Sequence, residues 1–189
     1  MPFILANELD ALPSLIQLVR AFLNEATLQS LKERSICPLG ALFDLDYEKF
    51  LENHAIPQEY EPWQFDPARL LWTSDCICKV IREATSICPN LLEMRDTKGR
   101  TILHKATRAF CQRQELFNVF HSILPMIITQ QNVNAMDNEG VTPYGQMVMY
   151  AKRYNCWMAS MPESFKVKKI FEEHGAHEEH VQTSVAALE

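Results

Sequence analysis

The chain has 189 residues, of which 47% are apolar and 22% charged, and its 18 basic and 24 acidic side chains give a formal net charge of −6. This length accommodates one domain or at most two small ones, and this composition excludes a disordered chain. The acidic balance argues against nucleic-acid binding and against docking on anionic lipid as the main activity.

The cysteines and the N-terminal segment indicate the compartment. Six cysteines without a regular spacing favour reduced thiols in a cytoplasmic environment over a disulfide framework. The N-terminus has no basic start followed by a long apolar run, so we expect no secretory signal peptide. No apolar stretch approaches the roughly 18–20 residues that cross a bilayer, so we expect no membrane insertion.

In the first half of the chain, apolar side chains recur at helical spacing, and no segment alternates apolar and polar residues. The pattern predicts an amphipathic helix over 12–26, which either continues to residue 31 or is followed by a second short helix, and which ends before Pro38. A further helix is predicted over about 44–54, and an extended aromatic connector over 56–65.

In the second half, prolines and capping residues predict where helices begin and end. Pro67 opens a short helix that ends at Trp72. Ser74 and Asp75 cap a separate helix, which ends before Pro89. Four more helices are predicted: from near Thr101, over about 114–128 with a kink or early end at Pro125, over 143–154, and after Ser164. The chain is therefore predicted to be all-α.

Two segments of the chain are alike. Residues 96–101 and 137–142 both read Asp-x-x-Gly-x-Thr, and each precedes a predicted helix. The Asp offers an acceptor for a tight turn, the Gly permits a positive φ, and the Thr caps the following helix. Their glycines, Gly99 and Gly140, are 41 residues apart.

These segments resemble the ankyrin repeat, in which a hairpin turn is followed by two antiparallel helices and a loop. Residues 101–106, Thr-Ile-Leu-His-Lys-Ala, match the family's Thr-Pro-Leu-His signature except at Ile102. Residues 133–137 resemble its junction between repeats, and residues 170–177 resemble the end of its second helix. Upstream, residues 80–94 look like the second helix and exit loop of a degenerate repeat.

The resemblance implies an ankyrin-like helical repeat stack of about three repeats, two of them clear. The spacing of 41 residues exceeds the family period of ~33, so extra residues are expected near 110–114 and near 155–163. The predicted domains are an N-terminal helical cap that packs on the stack, the divergent repeats, and a C-terminal tail whose last two residues we expect to be vector-derived: 1–65, 66–177 and 178–189.

The same resemblance implies that a partner protein is bound through the turns and the exposed faces of the first helices. In the first clear repeat the matching positions are Arg95, Thr97, Lys98, Arg100, Arg108 and Ala109. In the second they are Met136, Asn138, Glu139, Val141, Met149 and Tyr150. One set is basic and the other acidic and apolar, which suits a protein partner. We expect no catalytic residue, cofactor or metal ligand among them.

Other residues that often carry chemistry receive structural interpretations. His104 matches the histidine that ties neighbouring turns together in the ankyrin family. Cys76, Cys78 and Cys88 lack metal-site spacing, because a helix points residues two apart to different faces. His174, His177 and His180, which we call the tail histidines, lie among glutamates and are expected to be solvated.

The first hypothesis is therefore a non-enzymatic protein–protein interaction module that is a monomer or a weak oligomer. A narrower version is a bacterial effector delivered into the host-cell cytosol, because the lengthened repeats and acidic tail resemble such proteins. One alternative is an enzyme or a regulatory fragment with a cysteine- or histidine-based site in its N-terminal half. Another is a structural oligomer that buries a stack end or the aromatic connector.

Overall fold

The structure is a computed structural model that describes residues 17, 20, 21, 23–43, 67–112, 117–153 and 162–176. Within these residues it contains no β-strand, so the all-α prediction is confirmed for this part of the chain. Its helices are α1 (Glu25–Glu33), α2 (Pro67–Ile87), α3 (Ile102–Gln112), α4 (Phe117–Ile127), α5 (Pro143–Arg153) and α6 (Pro162–Glu173). Two 3-10 turns lie at Leu39–Leu42 and Pro89–Glu93. Among the described helices, none is long and apolar enough to cross a membrane.

The helix predicted over 12–26 is interrupted before residue 26. Asn24 has an extended backbone, with φ −112° and ψ 164°, and its side-chain oxygen accepts a hydrogen bond from the backbone N–H of Thr27 at 3.0 Å. Asn24 is therefore the N-cap of a separate helix, α1. Of the two alternatives, the second short helix is correct, and the assignment of Ala26 to the first helix was wrong.

The break predicted between Trp72 and Ser74 is also wrong, because α2 runs through this region without interruption. Neither glycine nor proline occurs between Pro67 and Pro89, and Ser or Asp inside a helix costs only about 0.7 kcal/mol or less. The predicted end of this helix is confirmed. Cys88 is extended, with φ −142° and ψ 92°, as expected for a residue that precedes proline.

The helices from α2 onward lie in two rows. In one row, α3 packs against α5, and in the other, α4 packs between α2 and α6. The rows meet where α3 contacts α4, and there the rings of Phe110 and Phe120 stack with centroids 4.4 Å apart. Fully buried side chains fill the space between the rows: Ile81, Leu91, Ile102, Leu103, Ile123, Leu124, Ile127, Val167 and Phe171. Burial of each such apolar side chain stabilises the fold by about 1.5–3 kcal/mol.

The described N-terminal residues pack on this core. The 3-10 turn Leu39–Leu42 contacts α3, and Cys37 is buried in the same apolar cluster as the helices. The ring of Phe43 meets that of Phe110 edge-on, with centroids 5.8 Å apart. The described part of the region predicted as a cap thus shares its core with the helical rows. The predicted helix over 44–54 and the connector over 56–65 lie outside the described residues.

The end of α4 is held by a buried asparagine. The helix includes Pro125 and continues to Ile127, so the proline does not end it. The side-chain amide of Asn132 donates to the carbonyl of Ile127 at 2.8 Å and to that of Leu92 at 3.2 Å. Its oxygen accepts from the backbone N–H of Thr129 at 2.9 Å. Asn132 therefore satisfies the last carbonyl of α4 and joins the loop after α4 to the loop after α2.

The predictions for the last two helices are close to the structure. α5 begins at Pro143 as predicted and is described as far as Arg153, so its predicted end at residue 154 lies outside the described residues. α6 begins at Pro162 instead of after Ser164. Of the extra residues predicted near 110–114 and 155–163, residues 113, 114 and 155–161 lie outside the described residues, while 110–112 belong to α3 and 162–163 to α6.

Candidate functional site

The first turn comprises residues 95–101 and is organised by Asp96. Its carboxylate oxygen Oδ1 accepts hydrogen bonds from the backbone N–H groups of Lys98 and Arg100, both at 2.9 Å. The backbone N–H of Gly99 donates to the Asp96 carbonyl at 2.9 Å. Gly99 has a φ of 74°, the left-handed conformation that the sequence predicts for this glycine.

The second turn comprises residues 136–142 and repeats this arrangement. Oδ1 of Asp137 accepts hydrogen bonds from the backbone N–H groups of Glu139 and Val141, both at 2.9 Å. The backbone N–H of Gly140 donates to the Asp137 carbonyl at 3.0 Å, and Gly140 has a φ of 76°. The two sequence segments that look alike therefore fold alike.

The two turns lie side by side and are hydrogen-bonded to each other. The backbone N–H of Asn138 donates to the Lys98 carbonyl at 2.9 Å, and the Asn138 side-chain amide donates to the Thr97 carbonyl at 3.1 Å. The guanidinium of Arg95 donates to the Met136 carbonyl at 2.6 Å. The side-chain bonds join residues 41 positions apart, so the sequence spacing of the glycines is also the spacing of the paired positions.

His104, at the start of α3, forms a further connection between the turns and is fully buried. Its Nδ1 accepts from the backbone N–H of Thr101 at 3.2 Å and lies 3.0 Å from the Thr101 hydroxyl. Its Nε2 lies 3.0 Å from the Val141 carbonyl oxygen. Because a carbonyl only accepts, Nε2 carries a proton. Because Nδ1 accepts from an N–H group, it carries none, and the imidazole is therefore neutral. The predicted structural role of His104 is confirmed.

The surroundings of His104 disfavour its charged form. Burial lowers the pKa of His104 below its ordinary value of 6.5, and the charges of Arg95 and Arg100 lower it further. The hydrogen bond to the Val141 carbonyl and the charge of Asp137 act in the opposite direction without cancelling the effect. The unfolded chain therefore binds this proton more readily than the folded chain does.

We expect the stability of the protein to fall below pH 6.5 because of His104. The contribution of the neutral imidazole is fully present above the unfolded pKa of 6.5 and is lost as the pH falls toward the folded pKa, with a slope of at most about 1.4 kcal/mol per pH unit. Urea unfolding across this range would measure it. The His104→Gln variant should have a shallower pH dependence, and equal slopes would contradict the prediction.

The negative charge of Asp96 is paired with positive charges within the protein. Its second oxygen, Oδ2, accepts from Nε and a terminal nitrogen of Arg100 at 3.0 and 2.9 Å, and lies 3.5 Å from Nζ of Lys105. Burial alone would raise the pKa of Asp96, but the hydrogen bonds and charge of Arg100 and the backbone N–H of Lys98 outweigh it and lower the pKa. Asp96 is therefore an ionised, internally paired carboxylate at neutral pH.

The predicted partner-binding residues differ in their access to solvent. Those with exposed side chains are Arg95, Thr97, Lys98, Arg108, Met136, Asn138 and Glu139. Those that are half-buried are Arg100, Ala109, Met149 and Tyr150. The turns bring together the members from 95–100 and 136–139, while the others lie on α3 and α5 in one row of helices. Seven of the predicted positions are therefore open to a partner.

Two of the predicted positions offer little free side chain to a partner. The side chain of Val141 is only 7% exposed, so only its backbone acts at the turn, through hydrogen bonds with Asp137 and His104. The guanidinium of Arg100 is held by Asp96, and its side chain is 16% exposed. Sequence position alone suggested a contact for both, but one side chain is buried and the other is already paired.

The cysteines and tail histidines offer no assembled centre in the part of the chain that the structure describes. Cys37, Cys78 and Cys111 are buried thiols and Cys88 is half-buried. The side chains of the other two cysteines lie outside the described residues, as do the last two histidines of the tail. No group of three or more His, Cys, Asp or Glu side chains among the described residues could hold a metal ion.

Sequence reasoning missed three polar residues that matter at the turns and loops. These are Asn132, which is fully buried, Lys105, which is 9% exposed, and Gln146, whose Oε1 atom is buried without a hydrogen-bond partner. Pairing positions 41 apart would have revealed one contrast, since Gln146 occupies in α5 the place of Lys105 in α3.

A comparison of the chain with protein-family models, with curated proteins and with solved structures gives no match in any of the three.

Proposed function

We propose that residues 66–177 form a divergent ankyrin-type repeat stack and that the protein is a non-enzymatic module that binds a partner protein. One observation carries the proposal: two turns 41 residues apart are hydrogen-bonded side by side, and their tips are exposed. The two rows of helices beneath them provide the repeated support that such a surface needs.

Rigid turns are suited to binding, because a surface that is already ordered loses little conformational entropy when a partner docks. Each turn is fixed by an Asp carboxylate and a left-handed glycine, and the pair is locked by His104. The energy that orders these residues is therefore supplied by the fold and not by the partner. Binding energy can then come from the exposed side chains of the tips.

The exposed side chains of the two turns, taken together with Arg108 on α3, carry mixed charge, and we call this set the turn face: Arg95, Thr97, Lys98, Arg108, Met136, Asn138 and Glu139. Its first-turn half is basic, and its second-turn half carries an acidic and an apolar side chain. Met136 is 42% exposed, and an accessible apolar group between charges is typical of an interface core. A partner with an acidic patch beside a basic one would complement this surface.

The proposal predicts that reversing charge on the turn face weakens binding strongly. Lys98→Glu/Arg108→Glu should lower capture of a specific protein from a eukaryotic cell lysate by about tenfold or more, since each reversal replaces attraction with repulsion. A eukaryotic lysate also tests the narrower hypothesis of an effector that acts in host cells. The captured proteins would be quantified by mass spectrometry, with folding verified by circular dichroism.

A matched control reverses the same number of charges elsewhere. Lys166 and Lys169 are exposed on α6, and Lys166→Glu/Lys169→Glu should capture the partner as well as the unmodified chain does. A protein captured equally by all three chains would show that the turn face is not the binding site. The absence of any specifically captured protein would count against the proposed function.

A further inference from the structure

The two turns share a backbone arrangement but differ in how their aspartates are neutralised. In the first turn, Oδ2 of Asp96 receives the guanidinium of Arg100 at 2.9 and 3.0 Å and lies 3.5 Å from the ammonium of Lys105. Both cations come from the chain itself, one four residues after the aspartate and the other from α3. In the first turn, the carboxylate of Asp96 is thus paired with cations from the same chain.

The second turn has an aspartate, Asp137, but lacks counterparts of the two basic residues that pair with Asp96. Its Oδ1 is satisfied by the backbone in the same way, but Val141 stands where the first turn has Arg100, and Gln146 stands where it has Lys105. Among the described residues Asp137 forms no ion pair, and the nearby Arg95 donates instead to the carbonyls of Met136 and Gly99. The half-buried Asp137 therefore keeps one carboxylate oxygen without a cation.

A second observation points to the same need for a donor. Oε1 of Gln146 is buried and has no hydrogen-bond partner, and Gln146 occupies the position from which Lys105 reaches Asp96 in the first turn. A buried acceptor left unsatisfied is destabilising, and a ligand that donates to it would remove this cost. A carboxylate oxygen without a cation and an amide oxygen without a donor thus occur at the positions of the second repeat that correspond to the Asp96–Lys105 pair of the first.

The second turn is also accessible. Met136, Asn138 and Glu139 are exposed, so a partner can approach Asp137 from the tip. The chemistry of the occupant follows from the first turn, where a guanidinium meets the carboxylate with two nitrogens. A guanidinium has five donors in a planar fork and stays charged, which suits a carboxylate oxygen that lacks a cation.

We propose that the second turn binds an arginine side chain of the partner protein, whose guanidinium takes on Asp137 the place that the guanidinium of Arg100 takes on Asp96. This inference rests on the proposed function and names the chemistry of one contact within it. The arginine completes the second turn from outside, as Arg100 completes the first turn from within.

The test uses the full chain and two small probes, acetyl-glycyl-arginyl-glycine amide and the same peptide with citrulline, which is nearly isosteric and uncharged. Titration followed by amide NMR should show the arginine peptide shifting the backbone signals of Asn138–Val141 and the side-chain amide of Gln146. The citrulline peptide should not shift them. Asp137→Asn should weaken arginine-peptide binding at least about tenfold, because a hydrogen bond to a charged group contributes about 1.5–3 kcal/mol.

Asp137→Asn is suitable because its remaining oxygen can still accept the two backbone hydrogen bonds that hold the turn. Glu139→Gln is the matched control, since it removes an equal charge from the exposed neighbour, and it should leave the shifts of Gln146 in place. Gln146→Lys should also abolish binding, because its ammonium would occupy the place from inside as Lys105 does.

Equal binding of the arginine and citrulline peptides would overturn the inference, and so would unchanged arginine binding in Asp137→Asn. Shifts spread over all acidic surfaces, with no preference for the second turn, would overturn it as well. These results would leave the proposed function standing, because that function is decided by the Lys98 and Arg108 variants. Loss of capture in those variants, combined with no arginine-induced shift of the second-turn signals, would overturn the inference and place the contact at the first turn alone.

Discussion

Replacing His104 by alanine is expected to lower the free energy of unfolding by about 3 kcal/mol. The imidazole is fully buried and connects Thr101 in the first turn to the Val141 carbonyl in the second. Its removal leaves the buried Thr101 backbone N–H without its acceptor and takes away one of the two hydrogen bonds that the Val141 carbonyl accepts, the other coming from the Asp137 backbone N–H. It also opens a cavity between α3 and the second turn. Chemical denaturation measured above pH 6.5 would report the loss with the wild-type imidazole neutral.

The matched control is His121→Ala. His121 is exposed on α4, and a surface substitution of this kind usually changes stability by no more than about 0.5 kcal/mol. A second variant, His104→Gln, keeps a polar side chain of similar length and should recover part of the loss. If His104→Ala and His121→Ala were equally stable, the connection between the turns would not contribute to the fold.

Covalent constraints made several helix boundaries predictable from the sequence. Proline fixes φ and restricts the residue before it, so the end of α2 at Ile87 and the start of α5 at Pro143 follow directly. The break at Asn24 and the continuity of α2 through Ser74 were not decidable in this way. Both depend on propensity differences of a few tenths of a kcal/mol, which tertiary packing readily overrides.

The site could be predicted in outline but not in its electrostatics. Asp, Gly and Thr at fixed spacing were enough to predict two similar turns, because each residue has a local conformational role. The burial of Val141 and the pairing of Arg100 with Asp96 depend on neighbours that the spacing does not contain. Pairing positions 41 apart identifies Gln146 as the counterpart of Lys105, but only the structure shows that Oε1 of Gln146 is buried without a hydrogen-bond partner.

Alanine substitution of the two turn glycines is expected to have unequal effects, about 3 kcal/mol for Gly99 and about 1 kcal/mol for Gly140. Both glycines have a positive φ, so alanine introduces a similar backbone strain in the folded chain at each position. Alanine also reduces the conformational freedom of the unfolded chain equally at both positions. A Cβ at Gly140 would meet nothing within 4 Å, whereas at Gly99 it would collide with Oδ1 of Asn138 and lie 3.0 Å from the Asn138 backbone nitrogen.

The extra loss at Gly99 therefore measures the contact between the turns and not the conformation of either one. Asn138 would have to move, and its hydrogen bonds to the Thr97 and Lys98 carbonyls would be weakened. A double-mutant cycle isolates this effect, because Gly99→Ala should cost less in an Asn138→Ala background that lacks the colliding oxygen. Equal losses at Gly99 and Gly140 would mean that the turns do not press against each other in solution, and the rigid surface on which the proposed binding depends would have to be abandoned.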